Sequence, residues 1–302
     1  MALEVPNRYL ALSPIIVTAP TARCGTTLVQ RLLSASGNCF LYGEEVGGQL
    51  QALTESFVEL IKRYEQTGAA TDADFARAVA GVLNDWRPGL IPPTAVVLKA
   101  WVEIYYQLPS TLADYGQSIG RPLWGFKRPN FSCDLLRAIL MLLPRTKVIY
   151  VYRDLYDVLK SAKARRFVVS EAEVTAFCAT WAANMSQTMA LRRDGRFYFL
   201  RYEDLVAHRR EQVQRLERFT GARKIEDRVF ATRVNTFAGA QSDGHSPNQY
   251  IEPAPLTATE RANRRARGGR GDGAVLRRRR GPPRLVGGGL AVQALLTNPG
   301  QP

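Results

Sequence analysis

Two short apolar runs, each breaking into a polar turn, constrain this chain more than any other feature. Pro14-Ile-Ile-Val-Thr-Ala19 and Thr146-Lys-Val-Ile-Tyr-Val-Tyr152 are rich in β-branched residues. Such runs suit strands buried on both faces of a parallel sheet. Leu123 to Lys127 and Arg196 to Tyr202 read as two more strands. Between them lie helical stretches: Thr26 to Ser36, with Leu28, Leu32 and Leu33 on one face, then Gln49 to Gln66, and Thr71 to Trp86 capped by Thr71 or Asp72. Further helices are expected over Asp134 to Leu143, Leu155 to about Arg166, Glu171 to Arg193, and Arg209 to Phe219 ending at Gly221. Pro88 to Gly120 is interrupted by prolines around a helical stretch at Val96 to Gln107. Strands alternating with helices imply an α/β fold, a parallel sheet flanked by helices on both faces. A chain of 302 residues can bury one sizeable core as a single domain with insertions.

The net charge of +14 suggests a nucleic-acid partner until it is located. From Arg261 onward there are ten arginines against one acid, Asp272, which leaves +5 for residues 1–260. The body is mildly basic, as suits a polyanionic ligand, and nucleic acid is not expected as its partner. Residues 261–302 form an Arg/Gly-rich tail, with Arg277 to Arg280, Pro282-Pro283 and Gly287 to Gly289. That composition buries too little apolar surface to offset chain entropy, so disorder is expected. The tail reads either as a basic arm for RNA or membranes or as a reading frame that slipped near Asn263. The excess of Arg, Gly, Pro and Ala favours the second. Just before it, Leu256 to Glu260 opens like a terminal helix, with Thr257 or Thr259 as N-cap.

No apolar run is long enough to span a membrane as a helix, and the N-terminus lacks a signal-peptide pattern, so the expected compartment is the cytoplasm. Cys24, Cys39, Cys133 and Cys178 are scattered, with no C-x-x-C pair. Neither a zinc site nor a disulfide framework follows. His208 and His245 are the only histidines.

The most informative stretch is Ala19-Pro-Thr-Ala-Arg23-Cys24-Gly25-Thr26-Thr27-Leu28, between the first strand and the first helix. A strand, a glycine turn and a helix N-terminus make an anion site, because unpaired N–H groups and the helix dipole point at the ligand. Arg23 adds a cationic fork, and Thr26 and Thr27 add hydroxyl donors. The chain has no Gly-Lys dipeptide. The P-loop pattern ending in Gly-Lys-Ser/Thr is therefore absent, which disfavours an ATPase, a kinase or another phosphotransferase on this scaffold.

Arg-Cys-Gly-Thr-Thr-Leu resembles the 5′-phosphosulfate loop of sulfotransferases that use 3′-phosphoadenosine 5′-phosphosulfate (PAPS), commonly Pro-Arg-Ser-Gly-Thr-Thr-Leu. Cys24 stands where serine is usual, and Thr21-Ala22 separate the proline from Arg23. A second stretch, Val148 to Ser161, resembles the family's 3′-phosphate site, where an arginine at a strand end and a serine eight residues on grip the phosphate; Arg153 and Ser161 have that spacing. Tyr42-Gly-Glu44-Glu45 is similar to a Gly-Glu-Glu segment of tyrosylprotein sulfotransferases whose first glutamate is the catalytic base. Trp124-Gly-Phe-Lys127-Arg-Pro129 is similar to the segment whose lysine reaches the transferring group. Arg201-Tyr202-Glu-Asp-Leu-Val206 is similar to the one whose tyrosine lies near the adenine. The resemblance spans roughly residues 14–221, within a domain of residues 1–260, and implies a P-loop-type sheet.

The resemblance implies a transferase that moves a sulfuryl group from PAPS to an acceptor hydroxyl, releasing 3′-phosphoadenosine 5′-phosphate (PAP), with no metal. Glu44 is then the general base and Lys127 and Arg23 offset developing charge, while Arg23, Cys24, Gly25, Thr26, Thr27, Arg153, Ser161 and Tyr202 hold the nucleotide. The choice of Glu44 over Glu45 rests on the resemblance alone. His245, in a polar loop, is the reserve base, and Cys24 beside Arg23 at a helix start is a candidate for a lowered thiol pKa. Carbohydrate, lipid or small phenol, and tyrosine are all compatible as acceptors. Residues 46–120 are expected to line the acceptor side with Phe57, Tyr64, Phe75, Trp86, Trp101, Tyr105, Tyr106 and Tyr115. Helix-rich surfaces are compatible with a homodimer.

Overall fold

The computed structural model describes residues 4–82, 90–231 and 255–261. In chain order the elements are α1 (Asn7–Leu10), β1 (Ile15–Thr18), α2 (Thr26–Ser34), β2 (Cys39–Tyr42), α3 (Glu44–Val79), α4 (Thr94–Ser118), β3 (Leu123–Lys127), α5 (Cys133–Leu142), β4 (Lys147–Tyr152), α6 (Leu155–Ala164), α7 (Glu171–Met189), β5 (Phe197–Arg201), α8 (Tyr202–Ala207), α9 (Arg209–Thr220) and α10 (Arg228–Ala231). The five strands make one sheet in the order β2-β3-β1-β4-β5, with every pairing parallel.

Side chains alternate across a strand, so each central strand feeds two cores. Ile15, Val17, Ile149 and Val151 pack with Leu28, Leu32 and Leu33 of α2 and with Val213 and Leu216 of α9. Ile16, Phe126 and Val148 face the opposite layer, against Leu50 and Phe57 of α3, Tyr105 and Tyr106 of α4, and Leu136 and Ile139 of α5. Tyr150 joins a third cluster with Val158 and Leu159 of α6 and Cys178 and Trp181 of α7. All four strands read from the sequence are present, within a residue at each end, and the sheet is covered on both faces as expected.

Three expectations change. β2 was not foreseen: it is a four-residue edge strand without β-branched residues, alternating buried and exposed positions. The two helices expected over Gln49 to Trp86 are one helix of 36 residues, α3, in the described chain; Trp86 itself lies outside the described residues. The break expected near Thr71 fails because Asp72 caps a different helix. Its Oδ1 accepts from Thr94 N at 2.6 Å, at the start of α4. Gly68 is retained inside α3 where Thr94 crosses it, since a Cβ there would lie 3.2 Å from Thr94 Oγ1. Likewise α4 runs through Pro109, which is buried, and reaches Ser118, so packing overrides the proline signal.

The terminal turn expected before the tail is present. Thr257 N donates to Glu260 Oε2 at 2.7 Å and Glu260 N to Thr257 Oγ1 at 3.2 Å, the reciprocal pattern of a capping box. Arg261 still belongs to this turn, its N–H donating to Thr257 O at 3.1 Å, and the rest of the Arg/Gly-rich stretch lies outside the described residues.

Candidate active site

Each strand of a parallel sheet delivers the chain to the same edge. Here all five C-terminal ends lead to a residue singled out from the sequence. β1 runs into the Arg23–Thr27 loop and β2 is followed by Glu44. β3 ends on Lys127, β4 is followed by Arg153, and β5 by Tyr202.

The loop after β1 is shaped by two left-handed residues, Arg23 at φ 73° and Gly25 at φ 99°. Gly25 is the N-cap of α2, and no side chain caps that helix, so its first-turn N–H groups face the loop's concave side. Tyr202 lies directly over Gly25: a Cβ on this glycine would collide with the tyrosine ring. Arg153 also lies over that ring, its guanidinium carbon 4.7 Å from the centroid. The end of β4 is pinned to the end of β5, because Glu203 Oε1 accepts from Asp154 N at 3.0 Å. Asp154 also caps α6 by accepting from Tyr156 N at 2.8 Å, which fixes the helix carrying Ser161.

The loop after β1 and the helix after β4 meet at one contact, Arg23 Nε donating to Ser161 Oγ at 3.1 Å. Arg23 also lies 5.8 Å from the Phe167 ring centroid. Burial, with Arg165 and Arg153 nearby, holds the Arg23 guanidinium below its usual pKa. Arg165 was not foreseen. It follows Ser161 by four residues, one turn along, and only that spacing could have signalled it. Arg153 Nε is buried without a hydrogen-bond partner. An unpaired buried guanidinium N–H is a donor that an anionic acceptor would satisfy.

Across the edge, Lys127 is 7 % exposed and its ammonium is ion-paired with Glu44. Glu44, rather than the neighbouring exposed Glu45, is the carboxylate that Lys127 reaches. The side chain of the next residue, Arg128, also holds the first turns of α3: Nη1 donates to the main-chain Glu44 O at 3.2 Å and Nε to the side-chain Gln51 Oε1 at 3.1 Å. Gly47 and Gly48 allow this approach, since a Cβ at either would come within 2.7 Å of Arg128 Cβ or 3.1 Å of its Nη1.

Other expectations are corrected. Cys24 is fully buried with its thiol among α6 and α7 residues, and burial pushes its pKa up to about 11, so it is neither an activated thiol nor a side chain that faces a ligand. Of the aromatics assigned to the acceptor side, Phe57, Tyr64, Tyr105 and Tyr106 form the core between α3, α4 and the sheet, and Trp101 stacks on Phe57. Phe75 is half-buried and Tyr115 is exposed. His208 is an exposed residue between α8 and α9, and His245 lies outside the described residues.

The model of the sulfotransferase family matches residues 14–227, which takes in all five strands and the whole of this edge. The chain belongs to the sulfotransferase family. Sulfuryl transfer is the chemistry that this membership carries, with PAPS as donor and PAP as product. Among solved structures, this sulfotransferase is similar to the sulfotransferase domain of the olefin synthase of Synechococcus PCC 7002 (15 % identity over 88 % of this chain and 98 % of that one, TM-score 0.45). It is also similar to the sulfotransferase domain from the curacin biosynthetic pathway (18 %, 84 % and 97 %, TM-score 0.47). A third likeness is to a retinol dehydratase in complex with retinol and PAP (18 %, 75 % and 66 %, TM-score 0.36). A comparison with curated proteins gave no match. No helix among the described residues is long and apolar enough to cross a membrane.

Proposed function

We propose that this sheet edge transfers the sulfuryl group of PAPS to an acceptor hydroxyl, with Glu44 as general base. The observation that carries the reading is the contact between Arg23 and Ser161 at 3.1 Å, which joins the two anion motifs, 138 residues apart, beside the unpartnered Arg153 Nε. A nucleotide with an anionic group at each end fits this donor set. The first-turn N–H groups of α2, with Thr26 and Thr27, serve the 5′ side, and Arg153 and Ser161 the 3′ side. Tyr202, in contact with both Gly25 and Arg153, places an aromatic ring beside this donor set for the adenine.

When bound, the donor supplies a sulfur atom whose bond to the bridging phosphate oxygen breaks as the acceptor oxygen bonds to it. Glu44 takes the acceptor proton, and its half-exposed side chain can pass that proton to water. Lys127 and Arg23 offset the charge that gathers on the departing phosphate oxygen, which takes the electron pair. Resting Lys127 against Glu44 keeps both side chains placed before substrates arrive. The four free cysteines suit a reducing compartment, and we place the enzyme in the cytoplasm. A carbohydrate, lipid, small phenol or tyrosine can supply the hydroxyl.

The test is calorimetry with PAP, using AMP and ATP as controls. The expected result is binding that requires the 3′-phosphate and is lost in Arg153→Ala. A folded protein that treats PAP and AMP alike overturns the proposal.

A further inference from the structure

The loop after β1 depends on a side chain far from every motif. The chain beyond β1 is first held by the segment beyond β3: Arg128 N donates to Val17 O at 3.0 Å and Asn130 N to Ala19 O at 2.9 Å. Asn130 then adopts a left-handed backbone, φ 68°, which turns that segment away. Among the described residues no main-chain N–H reaches the next carbonyl, that of the buried Pro20. Asn184 of α7 reaches it instead. Its Nδ2 donates to Pro20 O at 2.9 Å and to Asn130 Oδ1 at 3.0 Å, and the residue is only 9 % exposed. A main-chain carbonyl can only accept, so the contact with Pro20 fixes which end of the Asn184 amide points inward.

We infer that Asn184 is a positioning residue for the 5′-side loop, acting through Pro20 and Asn130 without touching substrate. Both hydrogens of one amide join the chain three residues before Arg23 to the chain three residues after Lys127. The two cationic groups at the point of transfer are thereby registered to one rigid helix. A buried amide with both donors engaged tolerates no substitute that lacks them, because two acceptors would then lose their partner. The 3′ side has anchors of its own in Asp154 and Glu203 and meets the loop through Arg23 and Ser161. Loss of Asn184 is therefore expected to weaken the 5′ end of the nucleotide more than the 3′ end.

This inference rests on the donor reading above, and the test separates the two. Binding of PAP and of adenosine 3′-phosphate, which lacks the 5′ group, is measured by calorimetry for the full chain, Asn184→Asp and Asn184→Ala. Expected is a loss of about tenfold or more in PAP affinity, equivalent to about 1.4 kcal/mol, with affinity for adenosine 3′-phosphate little changed. Equal losses for both ligands indicate a merely structural role and overturn the inference, as does unchanged PAP binding. Failure of the unsubstituted chain to bind PAP sinks the donor reading as well. Should the Asn184 variants not fold, Asn130→Gly removes the second acceptor while keeping the left-handed backbone accessible. It must shift the PAP to adenosine 3′-phosphate ratio in the same direction, and an unchanged ratio is decisive against the inference.

Discussion

The ion pair between Lys127 and Glu44 is lopsided: the lysine side chain is 8 % exposed and the glutamate side chain 52 %. Removing either partner therefore leaves a different problem. Glu44→Gln leaves a buried ammonium with a neutral acceptor and no counter-charge, whereas Lys127→Met leaves a carboxylate that can rehydrate and fills the space with an apolar chain. Glu44→Gln is expected to lower unfolding free energy by about 1–3 kcal/mol, as for a buried charge that loses its counter-charge, and Lys127→Met by much less. Urea titration of both variants measures the difference, and an equal loss in both contradicts the asymmetry.

Gly25 is constrained twice. Its φ of 99° disfavours any side chain, and a Cβ would collide with the Tyr202 ring. Gly25→Ala is expected to lose about 1–2 kcal/mol for the backbone alone, and more from displacing Tyr202. Adding Tyr202→Ala should relieve the collision and not the backbone term. Thermal denaturation of the single and double variants resolves the two parts: a double variant that recovers nothing places the whole penalty in the backbone.

Most of the sheet was legible because buried parallel strands are written as continuous apolar runs. Pro14 to Ala19 and Thr146 to Tyr152 need no knowledge of their neighbours to be recognised. Lys127, Arg153 and Tyr202 were singled out because their segments resemble sulfotransferase motifs, and each of them ends or follows a strand. β2 was not legible, because an edge strand needs only one buried face and Cys39-Phe-Leu-Tyr42 contains no β-branched residue. The length of α3 was hidden by Asp72, whose capping chemistry is real but serves Thr94, 22 residues on. The core aromatics were misassigned because a buried Tyr105 and a substrate-facing one look alike until the facing helix is placed. Arg128 and Asn184 act through contacts at separations of 54 to 164 residues, which no local pattern encodes.

Cys24 occupies a position that invites a reactive thiol, yet burial pushes its pKa up to about 11. At pH 8 only about one thiol in a thousand is ionised on that basis, and the residue has no exposed surface. Iodoacetamide at pH 8 is expected to leave Cys24 unmodified in the folded protein and to label it only after unfolding. Peptide mass mapping decides this, and native labelling of Cys24 refutes it. Cys39, pushed up to about 12, should behave alike.

The segment at 255–261 gives stability a defined pH dependence. Lys163, two residues beyond Ser161 on α6, donates to Glu260 Oε2 at 2.7 Å and to Pro255 O at 3.2 Å, while Leu256 enters the cluster between α6 and α7. Burial of Glu260 by itself raises its pKa. The hydrogen bonds from Lys163 and Thr257 outweigh that, and the net value lies below the usual 4.5. A carboxyl whose pKa is depressed on folding adds stability above its unfolded value and loses it as pH falls through the folded value. At pH 7, then, Glu260→Gln is expected to be less stable than the unsubstituted chain by about 1–2 kcal/mol. The gap should begin to close below about pH 4.5 and vanish at more acid pH, where the glutamate is protonated in both states. Urea titrations of the two proteins across this range test the sign directly. A gap that widens on acidification shows that Glu260 is held protonated in the fold, and that its bond to Lys163 is not an ion pair.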